Sequence, residues 1–393
     1  MKLSVFFCWM GLAVVAAASP WPVDELKKVP LVQDLPDKDV GEVKAAFIDG
    51  VDRLGEGGKP TRFFVYYGIP KSVDGSKVPA MVLVHGGGGS AFATWVKLWM
   101  DRGYAAISMD TCGAISGGGH NNHTRHNLGG PPGWGGFDQI EQPLEHQWTY
   151  HAVSDVMLAH SWIRAQDGVD AERTGITGIS WGGYLTCITA GVDDRFKFAA
   201  PVYGCGFLTD NSAWLDAFGK MGPENKEKWR ANWDPSVYLP QARMPMLWVT
   251  GTNDVAFPMD SLRRSYQLPP GDRFLAIRPR MPHGHGPAGE NPAEIHAMAD
   301  AVLKGGPAMA KVVLGARNGR MVSATWTGGR KMVAASLNYT TDEGPWQKRE
   351  WKEIPATPGA GRVEGELPEG TKVYYFNLKD EAELVASSEH ETL

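Results

Sequence analysis

The sequence predicts an α/β chain with a mostly parallel, doubly wound sheet, followed by an all-β domain. Up to about residue 305, short apolar runs typical of strands alternate with segments that carry a helical period. From about residue 307, short strand-like runs follow one another without any helical period. Of the 393 residues, 43% are hydrophobic and 21% are charged, which are ordinary values for a globular protein.

The α/β part contains seven predicted strands and three clear predicted helices. Strands that alternate with helices indicate a parallel sheet covered by helices. The predicted strands are 63–67, 81–85, 104–109, 174–179, 196–203, 244–250 and 273–277, and the predicted helices are 91–102, 148–163 and about 292–303.

The last 80 residues or so contain seven short strand-like runs separated by Gly, Asn and Pro turns. This regular spacing is typical of a β-sandwich of the fibronectin or immunoglobulin type. The runs are 312–314, 321–326, 332–340, 351–354, 362–367, 371–378 and 384–387.

The chain is therefore expected to divide into a leader and three further parts. These are a signal peptide (1–19), an N-terminal arm (20–60), an α/β domain (61–306) with a helical insertion at about 207–240, and the β-sandwich (307–393). Lys2, an apolar run over 3–15 and the small residues at 16–19 match a secretory signal, so a secreted or periplasmic protein is expected. An uncleaved membrane anchor is the alternative, but the apolar run is short for a span.

Charge and cysteine content restrict the classes of partner and scaffold. Lys and Arg number 39 against 44 Asp and Glu, and no block of like charge predicts a nucleic acid or, after signal cleavage, a membrane partner. Cys112, Cys187 and Cys205 allow at most one disulfide, so the fold is expected to rest on its core. The sequence does not indicate an oligomeric state.

Ser180 is the predicted nucleophile. The segment GISWGG (178–183) fits G-x-S-x-G and falls where a predicted strand ends. A serine on such a sharp strand-to-helix turn projects its hydroxyl above the sheet. The alternative is an ordinary glycine-bounded turn.

A second glycine-rich segment, HGGGG (85–89), follows the strand MVLV. A backbone N–H in this loop, together with that of Trp181, would face an oxyanion formed when serine attacks a carbonyl. A phosphate-binding loop is the competing interpretation. It is disfavoured because neither G-x-x-x-x-G-K-[ST] nor G-x-G-x-x-G with a following acidic residue is present.

A base and an acid follow the next two predicted strands. Asp254 follows the strand that ends at Gly251, and His283 lies in the segment MPHGH (281–285) after the next one. Because ligands of open α/β sheets bind at the carboxyl ends of the strands, these side chains are expected to meet Ser180. His285, two residues on, is an alternative base.

These motifs, in this order, resemble the α/β-hydrolase superfamily, in the branch that includes prolyl oligopeptidase, dienelactone hydrolase and acetylxylan or cephalosporin C esterases. The resemblance covers about residues 60–305. It implies that Ser180 is the nucleophile, His283 the base and Asp254 its orienting acid, with Gly86, Gly87 and Trp181 forming the oxyanion region.

The glycine-rich loop 117–137 is predicted to form a substrate wall, with His120, Asn122 and Arg125 as polar contacts and Trp134 as a platform for a sugar ring. His120, His123 and His126 could also suggest a metal. No thiolate or carboxylate stands at ligand spacing, so no metal and no cofactor are expected. The insertion at 207–240 is expected to roof the cleft, with its tryptophans packing or contacting the ligand.

We therefore expect a serine carboxylesterase that acts on an acylated carbohydrate or another small ester, in the manner of an acetylxylan esterase. A serine peptidase of the prolyl oligopeptidase type is the first alternative, although the sequence leaves no room for that family's N-terminal propeller. A non-catalytic, hydrolase-like protein that binds carbohydrate or protein is the alternative from another class.

Overall fold

The protein is described here by a computed structural model covering residues 19–52, 60–72 and 74–393. The predicted signal peptide therefore lies outside the described residues, apart from Ser19. The core of the fold is a nine-stranded sheet in the order β1-β2-β3-β5-β4-β8-β9-β10-β11. Its strands are β1 (Val32–Asp34), β2 (Lys44–Asp52), β3 (Pro60–Gly68), β4 (Val78–Val84), β5 (Ala105–Met109), β8 (Val169–Ile179), β9 (Phe198–Val202), β10 (Met246–Gly251) and β11 (Arg273–Arg278).

The strands from β5 to β11 in this order run parallel, as the alternation of strands and helices predicts. Strands β4, β5, β9 and β10 are buried along their whole length, which explains why they read as continuous apolar runs. A two-stranded ribbon of β6 (Ala114–Ile115) and β7 (Thr124–Arg125) lies within the loop that follows β5.

The N-terminal arm differs from its prediction because it contributes strands to the sheet. Strand β2 pairs antiparallel with β3, and β1 pairs antiparallel with β2. The start of the arm is also anchored, since the Trp21 indole N–H donates to the Tyr150 carbonyl at 2.9 Å. Polar residues in β1 and β2 obscure the strand pattern in the sequence.

Helices form two layers on the sheet. In one layer α3 packs against α4, and in the other the Trp99 ring of α2 lies against His296 of α8 with ring centroids 4.6 Å apart. The helices are α1 (Val23–Leu26), α2 (Ala93–Met100), α3 (Trp148–Arg164), α4 (Trp181–Val192), α5 (Leu215–Trp233), α6 (Met259–Tyr266), α7 (Pro287–Glu290) and α8 (Ala293–Lys304). These layers and the parallel sheet confirm the predicted doubly wound α/β fold.

The C-terminal part forms two antiparallel sheets, as predicted. One has the order β12-β13-β16, and the other has the order β15-β14-β17-β18 with β19 paired to β17. Leu337, Val363 and Phe376, from both sheets, share one core. The strands are β12 (Lys311–Leu314), β13 (Met321–Thr327), β14 (Met332–Thr340), β15 (Lys352–Ala356), β16 (Arg362–Glu366), β17 (Val373–Asp380), β18 (Val385–Ser387) and β19 (Glu391–Thr392).

The β-sheets of the C-terminal part pack directly on the edge strand of the central sheet. The backbone N–H of Ile277 in β11 donates to the Ser387 hydroxyl at 2.8 Å, and its carbonyl accepts from the Asn377 amide at 3.0 Å. These bonds satisfy backbone groups that an open edge would leave unpaired.

Cys112, Cys187 and Cys205 are free thiols, so no disulfide links them. Within the described ranges, no helix combines the length and the apolar character that crossing a bilayer requires.

Three buried histidines make the stability of this fold sensitive to acid. Burial lowers the pKa of His85, His296 and His390 to about 3 each, whereas an unfolded histidine titrates near ~6.5. Below about pH 6.5 the unfolded chain therefore binds protons that the folded chain refuses, and stability falls with pH. Burial raises the pKa of the Asp110 carboxyl to about 6. As the pH falls below that value, the folded chain takes up a proton at Asp110 before the unfolded chain does, and this offsets part of the loss of stability.

We expect the substitution His390→Gln to isolate the contribution of one of these histidines. Between pH 7 and pH 5, the free energy of unfolding of the wild type should fall by ~2 kcal/mol more than that of the variant. Urea denaturation at the two pH values measures the difference. An equal loss in both proteins would contradict the assignment.

Candidate active site

Ser180 occupies a strained turn between β8 and α4. Its backbone has φ 58° and ψ −118°, a left-handed φ that side chains rarely adopt. The Ser180 N–H donates to the Val202 carbonyl at 2.9 Å, and its own carbonyl accepts from Tyr184 at 2.9 Å. The turn is therefore held from the neighbouring strand and from the helix, and it presents the hydroxyl at the carboxyl end of β8.

Two glycines of the motif are required by close backbone contacts. A Cβ at Gly178 would lie 2.2 Å from the Gly182 carbonyl oxygen, and a Cβ at Gly182 would lie 2.0 Å from that of Val84. Neither contact is possible for a real side chain. The G-x-S-x-G pattern thus reflects how tightly α4 begins against β4 and β8.

Asp254 and His283 complete a chain of hydrogen bonds with Ser180. The Asp254 carboxylate lies 2.7 Å from His283 Nδ1, and His283 Nε2 lies 2.9 Å from Ser180 Oγ. The other carboxylate oxygen of Asp254 accepts the backbone N–H groups of Ala256 and Phe257 at 2.9 and 2.8 Å. Residues from three strand ends that are far apart in the sequence therefore meet in bonding contact.

This arrangement can activate the serine hydroxyl. The buried Asp254 carboxylate accepts a hydrogen bond from His283 Nδ1–H, which keeps the ring proton on Nδ1 and leaves Nε2 free to accept the Ser180 hydroxyl proton. The Tyr203 ring stacks on His283 at 4.6 Å and fixes the plane of the imidazole. Sequence reasoning missed Tyr203, although its position directly after β9 at the same sheet edge is a usable signal.

His285 has different partners from His283. The backbone N–H of Gly86 donates to His285 Nε2 at 2.9 Å, and His285 Nδ1 lies 3.0 Å from the Glu290 carboxylate. Because an amide N–H only donates, Nε2 is the unprotonated nitrogen and Nδ1 carries the proton. Both ring nitrogens are thus occupied away from Ser180, and the geometry favours His283 as the base.

The same bond changes the role expected of Gly86. Its N–H was predicted to face an oxyanion, but here it is occupied by His285. The N–H groups of Gly87 and Trp181 have no acceptor among the described residues, and a Cβ on Gly87 would lie 2.8 Å from the Trp181 ring. Gly87 and Trp181, which both neighbour Ser180 in this arrangement, therefore keep backbone donors available for an oxyanion.

His85 supports the glycine loop from beneath. Its Nε2 accepts the Thr111 N–H at 3.1 Å, and its Nδ1 lies 2.8 Å from the Gly86 carbonyl. Burial keeps the pKa of His85 far below its usual value, so the ring is neutral and can accept from Thr111. The sequence motif contains this histidine, but only its buried contacts show what it does.

A cleft of about 450 Å³ opens over Ser180 and His283. The residues around it come from the end of β8, the glycine loop, the start of α2, the loop after β5 and the loop after β11. They are Gly86, Gly87, Gly88, Gly89, Phe92, Gly119, His120, His123, Ile179, Gly284 and His285.

Of the four predicted substrate contacts, His120 lines this cleft and the other three do not. Arg125 donates to the carbonyls of Cys112 and Gly130 and so holds its own loop together. Trp134 is half-buried and packs edge-on against His85 at 5.6 Å. Asn122 is exposed, and its backbone N–H donates to the Gly119 carbonyl at 3.0 Å. In this arrangement Asn122, Arg125 and Trp134 lie outside the set of residues that line the cleft.

The insertion at 207–240 packs beside the cleft through its aromatic side chains. The Trp229 indole N–H donates to the Gly135 carbonyl at 2.7 Å, and Trp214 lies against Trp181 with ring centroids 4.3 Å apart. None of its residues is among those lining the cleft. The tryptophans thus serve packing rather than ligand contact in this arrangement.

In the three ranges that the structure describes, no three His, Cys, Asp or Glu side chains cluster in a way that could hold a metal ion.

Comparisons with known proteins agree with this fold. Residues 137–286 match the sequence model of the prolyl oligopeptidase family. An acetyl xylan esterase from Paenibacillus sp. R4 has a similar structure, with 20% identity, a TM-score of 0.57 and coverage of 72% of this chain and 92% of that one. Acetyl xylan esterase 1 from Thermoanaerobacterium sp. JW/SL YS485 is also similar, with 14% identity, a TM-score of 0.54 and coverage of 72% of this chain and 93% of that one. No curated protein matches the sequence.

The sheet, its order and the site at its carboxyl edge have the arrangement of the α/β-hydrolase fold. Residues 137–286 are similar to the prolyl oligopeptidase family, and the match together with the site indicates a serine hydrolase.

The two histidines can be separated by substitution. We expect His283→Ala to lower kcat for 4-nitrophenyl acetate by roughly 10⁴-fold, because it removes the only imidazole bonded to Ser180. His285→Ala should lower kcat only about 3- to 10-fold, as expected for one lost hydrogen bond of ~1 kcal/mol. Steady-state kinetics of both variants, with circular dichroism as a folding control, measure this. The reverse ranking would make His285 the base.

Proposed function

We propose that the protein is an exported serine carboxylesterase that removes a small acyl group, such as acetyl, from a carbohydrate. The observation that carries this proposal is the hydrogen-bond chain from Ser180 through His283 to Asp254 at the floor of an open cleft. Export follows from the apolar N-terminal segment, which matches a secretory signal.

In the proposed reaction, Ser180 Oγ attacks the ester carbonyl carbon while its proton passes to His283 Nε2. The carbonyl oxygen becomes an oxyanion facing the N–H groups of Gly87 and Trp181. The tetrahedral intermediate then expels the alcohol, which takes the proton from His283, and an acyl-enzyme remains. Water, deprotonated by His283, attacks the acyl-enzyme. The carboxylic acid leaves, and Ser180 regains its proton.

The surroundings of Ser180 favour a small, uncharged acyl group. Phe92 and Ile179 supply apolar side chains, and the glycines from 86 to 89 supply backbone without side chains. Among the residues that the structure describes, no carboxylate or ammonium group lines this cleft. Two solved structures with similar folds are acetyl xylan esterases, which supports an acetylated polysaccharide as the substrate.

A second candidate function is peptide hydrolysis. It is favoured by the match of residues 137–286 to the prolyl oligopeptidase family. The same three side chains could cleave an amide by the same steps, with an amine as the leaving group.

A substrate panel distinguishes the two candidates. We expect the wild type to release acetate from acetylated xylan oligosaccharides and to hydrolyse acetyl esters faster than longer acyl esters. Little turnover is expected on a prolyl peptide or a glucuronoyl ester. Ser180→Ala should abolish every activity and leave the circular dichroism unchanged. Preferential cleavage of the peptide would contradict the proposal and support the peptidase.

A further inference from the structure

A second cavity of about 340 Å³ lies behind the catalytic imidazole, where the α/β domain meets the C-terminal sheets. Its α/β side is formed by residues 253–255 and 280–283, and its other side by residues 347–349 of the C-terminal part. Asp254 and His283 both line it. The imidazole therefore separates this junction cavity from the cleft over Ser180, because His283 also lines that cleft.

The junction cavity lies on the side of Ser180 where the alcohol half of an ester substrate is expected. His283 must reach the leaving oxygen to protonate it, so the alcohol of the ester lies on the His283 side of Ser180. The acyl group lies on the other side, toward the glycine loop. A substituent on the alcohol that extends past His283 therefore meets the junction cavity.

The junction cavity carries an excess of positive charge. Arg280, Lys348 and Arg349 line it, and none of them forms an ion pair with a residue in the described ranges. The one acidic group in the lining, Asp254, is already occupied by His283 and by two backbone N–H groups. Asp260, Asp342 and Glu343 act on Arg349 only from a distance.

Local structure fixes the backbone of Arg280 and the side chain of Arg349. Arg280 has φ 53°, a left-handed conformation that costs free energy for a residue with a side chain, and its N–H donates to the Thr252 hydroxyl at 3.1 Å. The Arg349 guanidinium lies 3.8 Å from the centre of the Trp346 ring and donates to the Gly344 carbonyl at 2.8 Å. The Asn253 amide donates to the Arg349 carbonyl at 2.7 Å and ties the two walls together.

We propose that this junction cavity is a subsite for a carboxylate on the leaving group of the substrate, bound by Arg280 and Lys348. This proposal rests on the proposed esterase function. It narrows the substrate of the enzyme to esters whose alcohol carries a carboxylate, such as a uronate-bearing sugar. If the substrate is a peptide, the free carboxyl terminus of the leaving amine would supply the same carboxylate.

A matched pair of esters tests the subsite. The probes are 3-acetoxybenzoate and its neutral analogue 3-acetoxybenzamide, which share the acyl group and differ in charge on the leaving phenol. We expect the wild type to favour the anionic ester in kcat/KM by roughly fivefold, and the Arg280→Gln/Lys348→Gln double variant to lose this preference. The double variant should hydrolyse the neutral ester within about twofold of the wild type.

Lys220→Gln/Lys228→Gln is the matched control, because it removes the same charge from exposed positions on α5 that line neither cavity. It should keep the preference for the anionic ester. No preference in the wild type, or a preference that survives Arg280→Gln/Lys348→Gln, would overturn the proposal.

Direct binding separates this proposal from the proposed esterase function. Calorimetric titration of D-glucuronate, with D-glucose as the neutral control, requires no turnover. Binding of glucuronate alone, lost in the Arg280/Lys348 double variant, supports the subsite even if no acetylated sugar is hydrolysed. Absence of glucuronate binding in the wild type overturns it. A series of peptides with free and amidated carboxyl termini shows whether the carboxylate comes from a peptide instead.

Discussion

The backbone at Ser180 is held in a conformation that a residue with a side chain adopts only under constraint. Its φ of 58° depends on a tight passage from β8 into α4, and that passage exists only because Gly178 and Gly182 leave room for neighbouring carbonyl groups. The packing of β4 against β8 sets the width of the passage. The apolar core of the sheet thereby fixes where the hydroxyl stands relative to His283.

The C-terminal sheets are part of this constraint and not an independent appendage. Asn253 precedes the acid of the hydrogen-bond chain and donates to carbonyls of Trp346 and Arg349 in the C-terminal part. On the neighbouring strand, Ile277 is bonded to Ser387. The loops that carry Asp254 and His283 therefore rest against the second domain, which links its packing to the geometry of the site.

Much of the fold could be predicted because the parallel strands are buried on both sides and read as apolar runs. The same pattern placed Ser180, Asp254 and His283 at one edge, since each follows a strand whose end is clear in the sequence. Strand β2 escaped prediction because its exposed and buried positions mix polar and apolar residues. Its place is set by pairing with β3, a contact that local sequence does not encode.

The roles of Gly86 and Arg125 could not be predicted either, for a related reason. Both depend on which backbone group happens to face which side chain after folding. The Gly86 N–H finds His285 from a distant loop, and Arg125 is used by carbonyls of its own loop. Motif spacing identifies residue types suited to the chemistry, whereas hydrogen-bond partners are decided by tertiary packing.

The account depends most directly on Ser180 being the activated nucleophile. Treatment with a fluorophosphonate, followed by peptide mass spectrometry, measures this without assuming a substrate, because the reagent phosphonylates only a serine whose proton is removed by a nearby base. We expect one equivalent of adduct on Ser180 in the wild type and almost none in His283→Ala. Labelling of another serine, or equal labelling of Ser180 in the absence of His283, would contradict it.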